Sequence, residues 1–187
     1  MLSNNLRNTT PRFLLDPSIV FLNHGSYGAR PRSIAAEAER IRRKIEASPV
    51  EALGRRSSIL LDAALAELGA YVGADRDDLA FVENATTAVN VAAASVPLGP
   101  GDEVLGSDHE YGACARAWER VCRARGASYR RFAVPLPYAG DEDFLRRLES
   151  ALTPRTRVLF LSHIASPTAL RFPVQAACRL ARERGIV

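Results

Sequence analysis

From Leu79 onward the chain alternates between short apolar runs and longer stretches with helical spacing. Leu79-Ala80-Phe81-Val82-Glu83 reads as a buried strand, and Asn84-Ala85-Thr86-Thr87 turns the chain into a helix predicted over 87–95. Pro97-Leu98-Gly99-Pro100-Gly101-Asp102 is a turn, and Glu103-Val104-Leu105-Gly106 the next strand. A helix follows from about Tyr111 to Arg125, then a strand from Tyr129 to Val134, then a helix capped by Asp141 and running to Ser150. Val158-Leu159-Phe160-Leu161-Ser162 is a continuous apolar strand of the kind buried on both faces. The last helix spans about Pro173 to Arg184, and Gly185-Ile186-Val187 reads as the start of a further strand. Strands separated by helices of this length imply right-handed crossovers. The expected class is α/β, a three-layer arrangement with a mostly parallel sheet between flanking helices.

The first part of the chain has a different pattern. Residues 1–20 form an irregular lead broken by Pro11 and Pro17, and Ile19-Val20-Phe21-Leu22 ends in the turn Asn23-His24-Gly25-Ser26-Tyr27-Gly28. Pro31 opens a helix with Ile34, Ala38, Ile41 and Ile45 at helical spacing, which Pro49 ends. A second helix runs to about Tyr71, with Leu53, Leu60, Leu61, Leu65 and Leu68 as its stripe and Gly73 as its stop. Three regions result: 1–30, 31–75 and 76–187. At 187 residues the chain is long enough for one full-sized core.

Composition adds exclusions more than assignments. No apolar run approaches the roughly 20 residues of a membrane-spanning helix. Met1-Leu2-Ser3-Asn4-Asn5-Leu6-Arg7 lacks the pattern of a secretory signal, so the Asn8-Thr9-Thr10 sequon carries no weight. Cys114, Cys122 and Cys178 are odd in number and show no metal or redox spacing, which fits a reduced cytoplasmic protein. The net charge of +4 raises nucleic acid as a partner. The cations are almost all arginine, with Lys44 the only lysine. Arg40, Arg42, Arg43 and Lys44 share a segment with Glu37, Glu39 and Glu46, the composition of a solvated helix face. No nucleic-acid or membrane partner is expected.

Two adjacent threonines delivered to a helix N-terminus make a place to hold a phosphate, because the first amides lack internal partners and the macrodipole is positive there. In parallel sheets ligands sit at the carboxyl ends of strands. Three strands here end in polar clusters: Asn84-Ala85-Thr86-Thr87, Ser107-Asp108-His109-Glu110-Tyr111 and Ser162-His163-Ile164-Ala165-Ser166. Each alone reads equally as a cap, a surface residue or a plain turn, and their shared position singles them out.

Four motifs recur in order: Phe21-Leu22-Asn23-His24-Gly25-Ser26-Tyr27-Gly28, Asn84-Ala85-Thr86-Thr87-Ala88-Val89-Asn90, Asp108-His109-Glu110-Tyr111-Gly112-Ala113 and Ser162-His163-Ile164-Ala165-Ser166-Pro167-Thr168. Together, from about Phe21 to Val187, they resemble the class V aminotransferase family of pyridoxal-phosphate enzymes, in its isopenicillin N epimerase-like branch. The resemblance implies the large domain of a fold-type I enzyme, incomplete at its C-terminus, with pyridoxal 5′-phosphate as cofactor. It implies that Ala85, Thr86 and Thr87 cradle the cofactor phosphate. Tyr111 would stack on the pyridine ring, with His109 as the alternative, and Ser166 would lie beside the cofactor's phenolic oxygen and the substrate. Asn23 and His24 would belong to a segment covering the active site, although a turn histidine bonded to its own backbone reads equally well. Arg55 and Arg56 suit either a substrate carboxylate or a solvated helix face.

Ala169 stands where relatives often have glycine. The family's ring-nitrogen aspartate and Schiff-base lysine would fall after Ile186-Val187, and Lys44 matches no family motif. The chain by itself is therefore expected to be inactive, as the first half of an enzyme acting on an amino acid through an external aldimine. Epimerase or aminotransferase chemistry is the first expectation, with carbon–sulfur lyase or desulfurase chemistry and a non-catalytic binding domain as alternatives. A homodimer, with the helices of 31–75 in its contact region, is implied for the full-length form.

Overall fold

A computed structural model describes residues 12–187; the leading residues, including the sequon and Pro11, lie outside them. The chain divides into two compact units, one ending at Ala80 and one from Phe81 to Val187.

In the first unit Phe13 forms an antiparallel bridge with Pro31, and its carbonyl accepts from the Arg32 side chain at 3.1 Å. Helix α1 (His24–Tyr27) is one turn, and α2 (Arg32–Ala47) follows Pro31. The second helix expected after Pro49 is broken in two. A π-helical turn (Val50–Arg55) closes with the Arg56 amide on the Glu51 carbonyl at 3.0 Å, and α3 (Ser57–Val72) starts after it. Gly54 inside that turn is a weak helix former. Gly73, at φ 72°, ends α3 as the sequence predicts. The apolar stripes of both helices are open, with Ile34, Ile41, Leu60 and Leu61 exposed.

The second unit is a three-layer α/β sandwich around a parallel sheet of order β2-β1-β3. Its strands are β1 (Glu103–Ser107), β2 (Ser128–Phe132) and β3 (Thr156–Phe160). Every residue of the central β1 is buried. Alternation along the strands sorts the two cores. Val104 and Val158 face α4 (Ala85–Ser95) and α5 (Gly112–Arg125), packing on Ala93, Trp118, Val121 and Cys122. Leu105 and Leu159 face the opposite layer of α6 (Asp141–Ala151) and α7 (Val174–Glu183), packing with Phe144, Leu148 and Ala177.

Three sequence expectations change. Leu79–Glu83 forms no strand: among the described residues nothing pairs with it, and Phe81 and Val82 are exposed. Apolar pattern extends a backbone, but only a hydrogen-bonding neighbour makes a strand. The following helix then begins at Ala85, so Thr86 and Thr87 lie inside its first turn. Asp141 is the first helical residue of α6, and Gly140 (φ 101°) holds the cap position. The further strand after Gly185 does begin: the Val187 amide donates to Arg157 and its carbonyl accepts from Leu159, at 3.0 and 2.8 Å, on the free edge of β3.

At the amino end of β1, Glu103 is only 2% exposed. It accepts from Arg130 (2.8 Å), Thr153 (2.8 Å) and twice from Arg155 (2.9 and 2.7 Å). Burial works against its charge, but the bonds from Thr153, Arg155 and Arg130 outweigh burial and hold the carboxyl below its ordinary range. A depressed folded value means stability that is complete above the unfolded pKa, about 4.3, and lost as pH falls through the folded one. Glu103→Gln is expected to cost about 1–3 kcal/mol at neutral pH and to flatten the acid limb of a plot of urea midpoint against pH. Parallel curves for the two proteins would contradict this.

On the α5 face, the Tyr129 hydroxyl lies where a Cβ on Gly106 would be, 2.2 Å from that position. It is buried and has no partner among the described residues. Burial, then the Glu110 charge, push it up to about 12. An orphaned buried hydroxyl contributes nothing by staying. Tyr129→Phe is therefore expected to leave the melting temperature unchanged or raised, whereas Gly106→Val should destabilise by about 1–3 kcal/mol through overpacking. A clear loss of stability in Tyr129→Phe would reveal a partner for the hydroxyl.

Candidate functional site

The strand order fixes where a ligand can enter. From β1 the chain passes through α5, on one face, to β2; from β2 it passes through α6, on the other face, to β3. The helices following β1 and β3 thus lie on opposite faces, and the exits of these neighbouring strands part around a crevice.

Helix α4 brings its N-terminus to the same end. Arg120 donates to Asn90 at 2.8 Å, and Arg125 reaches the Ala94 and Val96 carbonyls. A constant offset of about 30 residues in these pairs means that α4 and α5 run side by side in the same direction. Thr86 is then level with the first turn of α5, next to the β1 exit. Asn84 caps α4, its Oδ1 accepting from the Thr87 amide at 2.9 Å. The Thr87 amide is therefore not free, contrary to the sequence expectation. The Ala85 and Thr86 amides have no partner among the described residues. Asn90 also donates to the Thr86 carbonyl at 2.9 Å, which ties this turn to α5. No acidic residue lies in the first turn. Two open amides, half-buried Thr86 and Thr87 and the helix dipole form a cradle suited to a phosphate.

The β1 exit is stitched to both neighbours. The Asp108 amide donates to Phe132 (3.0 Å), and its Oδ1 accepts from the Val134 amide (2.9 Å). His109 is buried, with Nε2 2.9 Å from the Val134 carbonyl and Nδ1 3.1 Å from the Thr168 hydroxyl. A carbonyl only accepts, so Nε2 carries the proton and Nδ1 accepts from Thr168 in the neutral ring. Glu110 is also buried: Oε1 accepts from the Ser107 hydroxyl (2.6 Å), and Oε2 from the Ser162 amide (3.0 Å) and hydroxyl (2.6 Å). Tyr111, between this stitching and α5, is 51% exposed. Of the two rings proposed for stacking, Tyr111 has an open face and His109 is committed to protein partners.

After β3 the chain closes a loop. The Phe172 amide donates to His163 (2.9 Å) and the Ala165 amide to Leu170 (2.8 Å), with an Ile164–Arg171 bridge between. Ala169 donates to Ala165 (2.8 Å) and adopts φ 56°, a left-handed conformation that costs a non-glycine residue about 1–2 kcal/mol. Ser166 is exposed on this turn.

Ala85, Thr86, Thr87, Tyr111 and Ser166 all belong to the second unit, at the strand-exit end. Asn23 and His24 belong to the first. Asn23 caps α1 by accepting from Ser26 (3.4 Å), and His24 Nδ1 accepts from the Ala29 amide (3.3 Å) with its ring edge-on to Phe21. These are local turn bonds. Arg55 pairs with Glu51 at 3.7 Å, and Arg56 and Lys44 are exposed. Asn84, Asn90, Glu110 and Ser162 stand inside the motifs quoted from the sequence, but the sequence alone assigns none of them a role. Asn84 was findable, since an Asn three residues before Thr87 is a cap pattern.

A family model described as aminotransferase class-V matches residues 29–187. The isopenicillin N epimerase of Amycolatopsis lactamdurans is 37% identical over 190 residues, covering 100% of this chain and 48% of that protein. That of Streptomyces clavuligerus is 39% identical over 175 residues, covering 94% and 44%. Among solved structures, a mutant of the cystine C–S lyase C-DES with glycine linked to its PLP cofactor superposes with a TM-score of 0.78 at 23% identity, covering 91% of this chain and 46% of that one. The cysteine desulfurase CsdA from Escherichia coli gives 0.77 at 24%, covering 98% and 47%. The chain spans about half the length of the curated relatives it matches. It belongs to the aminotransferase class-V family.

Proposed function

We propose that this chain binds the phosphate and ring of pyridoxal 5′-phosphate and forms the amino-terminal part of an enzyme of epimerase or aminotransferase type that acts on an amino acid. The observation that carries the reading is the first turn of α4, with two open amides and no acid, at the end of the sheet where β1 and β3 part. Identity of 37–39% to isopenicillin N epimerases supports the epimerase type. When bound, pyridoxal phosphate supplies an aldehyde that condenses with an amine and a ring that takes up electrons from a breaking bond at the α-carbon.

The chain's own residues divide the binding work. The Ala85 and Thr86 amides and the Thr86 and Thr87 hydroxyls hold the phosphate, and Asn84 and Asn90 fix the turn that presents them. Tyr111 offers an open ring face for stacking, worth about 0.5–1.5 kcal/mol beyond area burial. Ser166 supplies a hydroxyl from the loop after β3, and the exposed His24 with Asn23 takes the substrate-side role. The open stripes of α2 and α3 suit the contact between two copies in a cytoplasmic homodimer. A carbon–sulfur lyase or desulfurase is the second reading, favoured by the likeness to C-DES and CsdA.

Pyridoxine 5′-phosphate, which lacks the aldehyde and cannot react with Lys44, is the direct probe. The 187-residue chain is expected to bind it in competition with inorganic phosphate. Ala85→Pro removes one open amide at a position where proline suits a helix start, after the extended Asn84 (φ −165°, ψ 169°). Thr86→Val removes one hydroxyl at constant shape. Each is expected to weaken binding about tenfold, the worth of one charge-assisted hydrogen bond, with α4 intact by circular dichroism. Unchanged affinity in both variants would refute the cradle.

A further inference from the structure

We propose that Glu110 is a positioning residue whose carboxylate clasps the exits of β1 and β3, and so sets the Tyr111 ring against the Ser162–Ser166 loop. Its two oxygens divide between the strands: Oε1 takes the Ser107 hydroxyl of β1, and Oε2 takes the Ser162 amide and hydroxyl just past β3. The Ser107 hydroxyl that donates to Glu110 also accepts from the His109 amide at 3.3 Å, so the loop is held from both sides of the carboxylate. The clasp therefore spans the crevice itself, where the helices after β1 and β3 diverge to opposite faces.

A comparison within the molecule separates this from a general stabilising role. Glu103, at the other end of the same strand, is also buried but is neutralised by Arg130 and Arg155. Among the described residues no basic side chain lies within salt-bridge distance of Glu110, and its partners are neutral hydroxyls and one amide. A buried carboxylate without a cation is a costly way to fill space. What it provides is three directed bonds that no apolar residue can make, joining the end of β1 to the segment past β3 beyond the last ladder pair, Gly106–Phe160. Tyr111 is the next residue in the chain, and Ser166 lies four residues beyond Ser162, so a slip of either exit moves a ring or a hydroxyl facing the ligand.

The ring contact, though not the clasp, rests on the cofactor reading. The test uses the 187-residue chain with Glu110→Gln and, in case that variant folds poorly, Ser162→Ala, which deletes a single hydroxyl. Affinity for inorganic phosphate should match wild type, because the α4 cradle is untouched. Affinity for pyridoxine 5′-phosphate should fall about tenfold, and the circular dichroism induced in its ring band should collapse. Hydrogen exchange at the Ser162 amide should speed up at least about tenfold in Glu110→Gln. Parallel loss of both ligands would mark a merely structural role and overturn the proposal, as would unchanged ring affinity and dichroism. If wild type binds phosphate but not the ring compound, the cofactor reading fails; Ser162 exchange then decides the clasp alone, with faster exchange supporting it and an unchanged rate refuting it.

Discussion

Burial of β1 on both faces is the constraint from which the second unit follows. A strand with two covered faces needs helices on each side, and its backbone needs a neighbour on each edge. β2 and β3 supply the edges, while α4 and α5 on one side and α6 and α7 on the other supply the covers. Because the chain adds β2 to one edge of β1 and then crosses to add β3 to the other, the connections leave β1 and β3 toward opposite faces. The crevice is a consequence of that order, and it exists before any residue in it is chosen.

The two ends of β1 solve the problem of buried charge in opposite ways. At the amino end Glu103 is matched by two arginines and a threonine, and this end is built to hold the sheet together. At the carboxyl end Asp108, His109 and Glu110 use neutral partners to tie the exit of β1 to both neighbours. Positive character is left to the open amides of α4 and negative character to Glu110, with the Tyr111 ring exposed at the start of α5.

Where local pattern determines structure, the sequence reading matches the molecule. The short apolar runs at 103–106 and 158–162 and the helical runs in between locate the sheet and both helical layers to within a few residues. The glycine stop reads correctly too, as Gly73 takes left-handed φ after α3. What failed depends on partners that are distant in sequence. Leu79–Glu83 has a strand's composition and no neighbour among the described residues. Glu110 and Ser162 are ordinary polar residues until the crossover brings them together across 52 positions. Thr87 reads as open in the sequence, whereas in the structure the Asn84 cap takes its amide.

The most direct measurement is a map of backbone amide shifts in the 187-residue chain by nuclear magnetic resonance as pyridoxine 5′-phosphate is added. The Ala85 and Thr86 amides should move furthest and saturate together, accompanied by Gly112 and the loop around Ser166, while Thr87, already bonded to Asn84, moves less. Shifts gathered on the arginine-rich face of α2, or none at α4 at saturating ligand, would contradict the account.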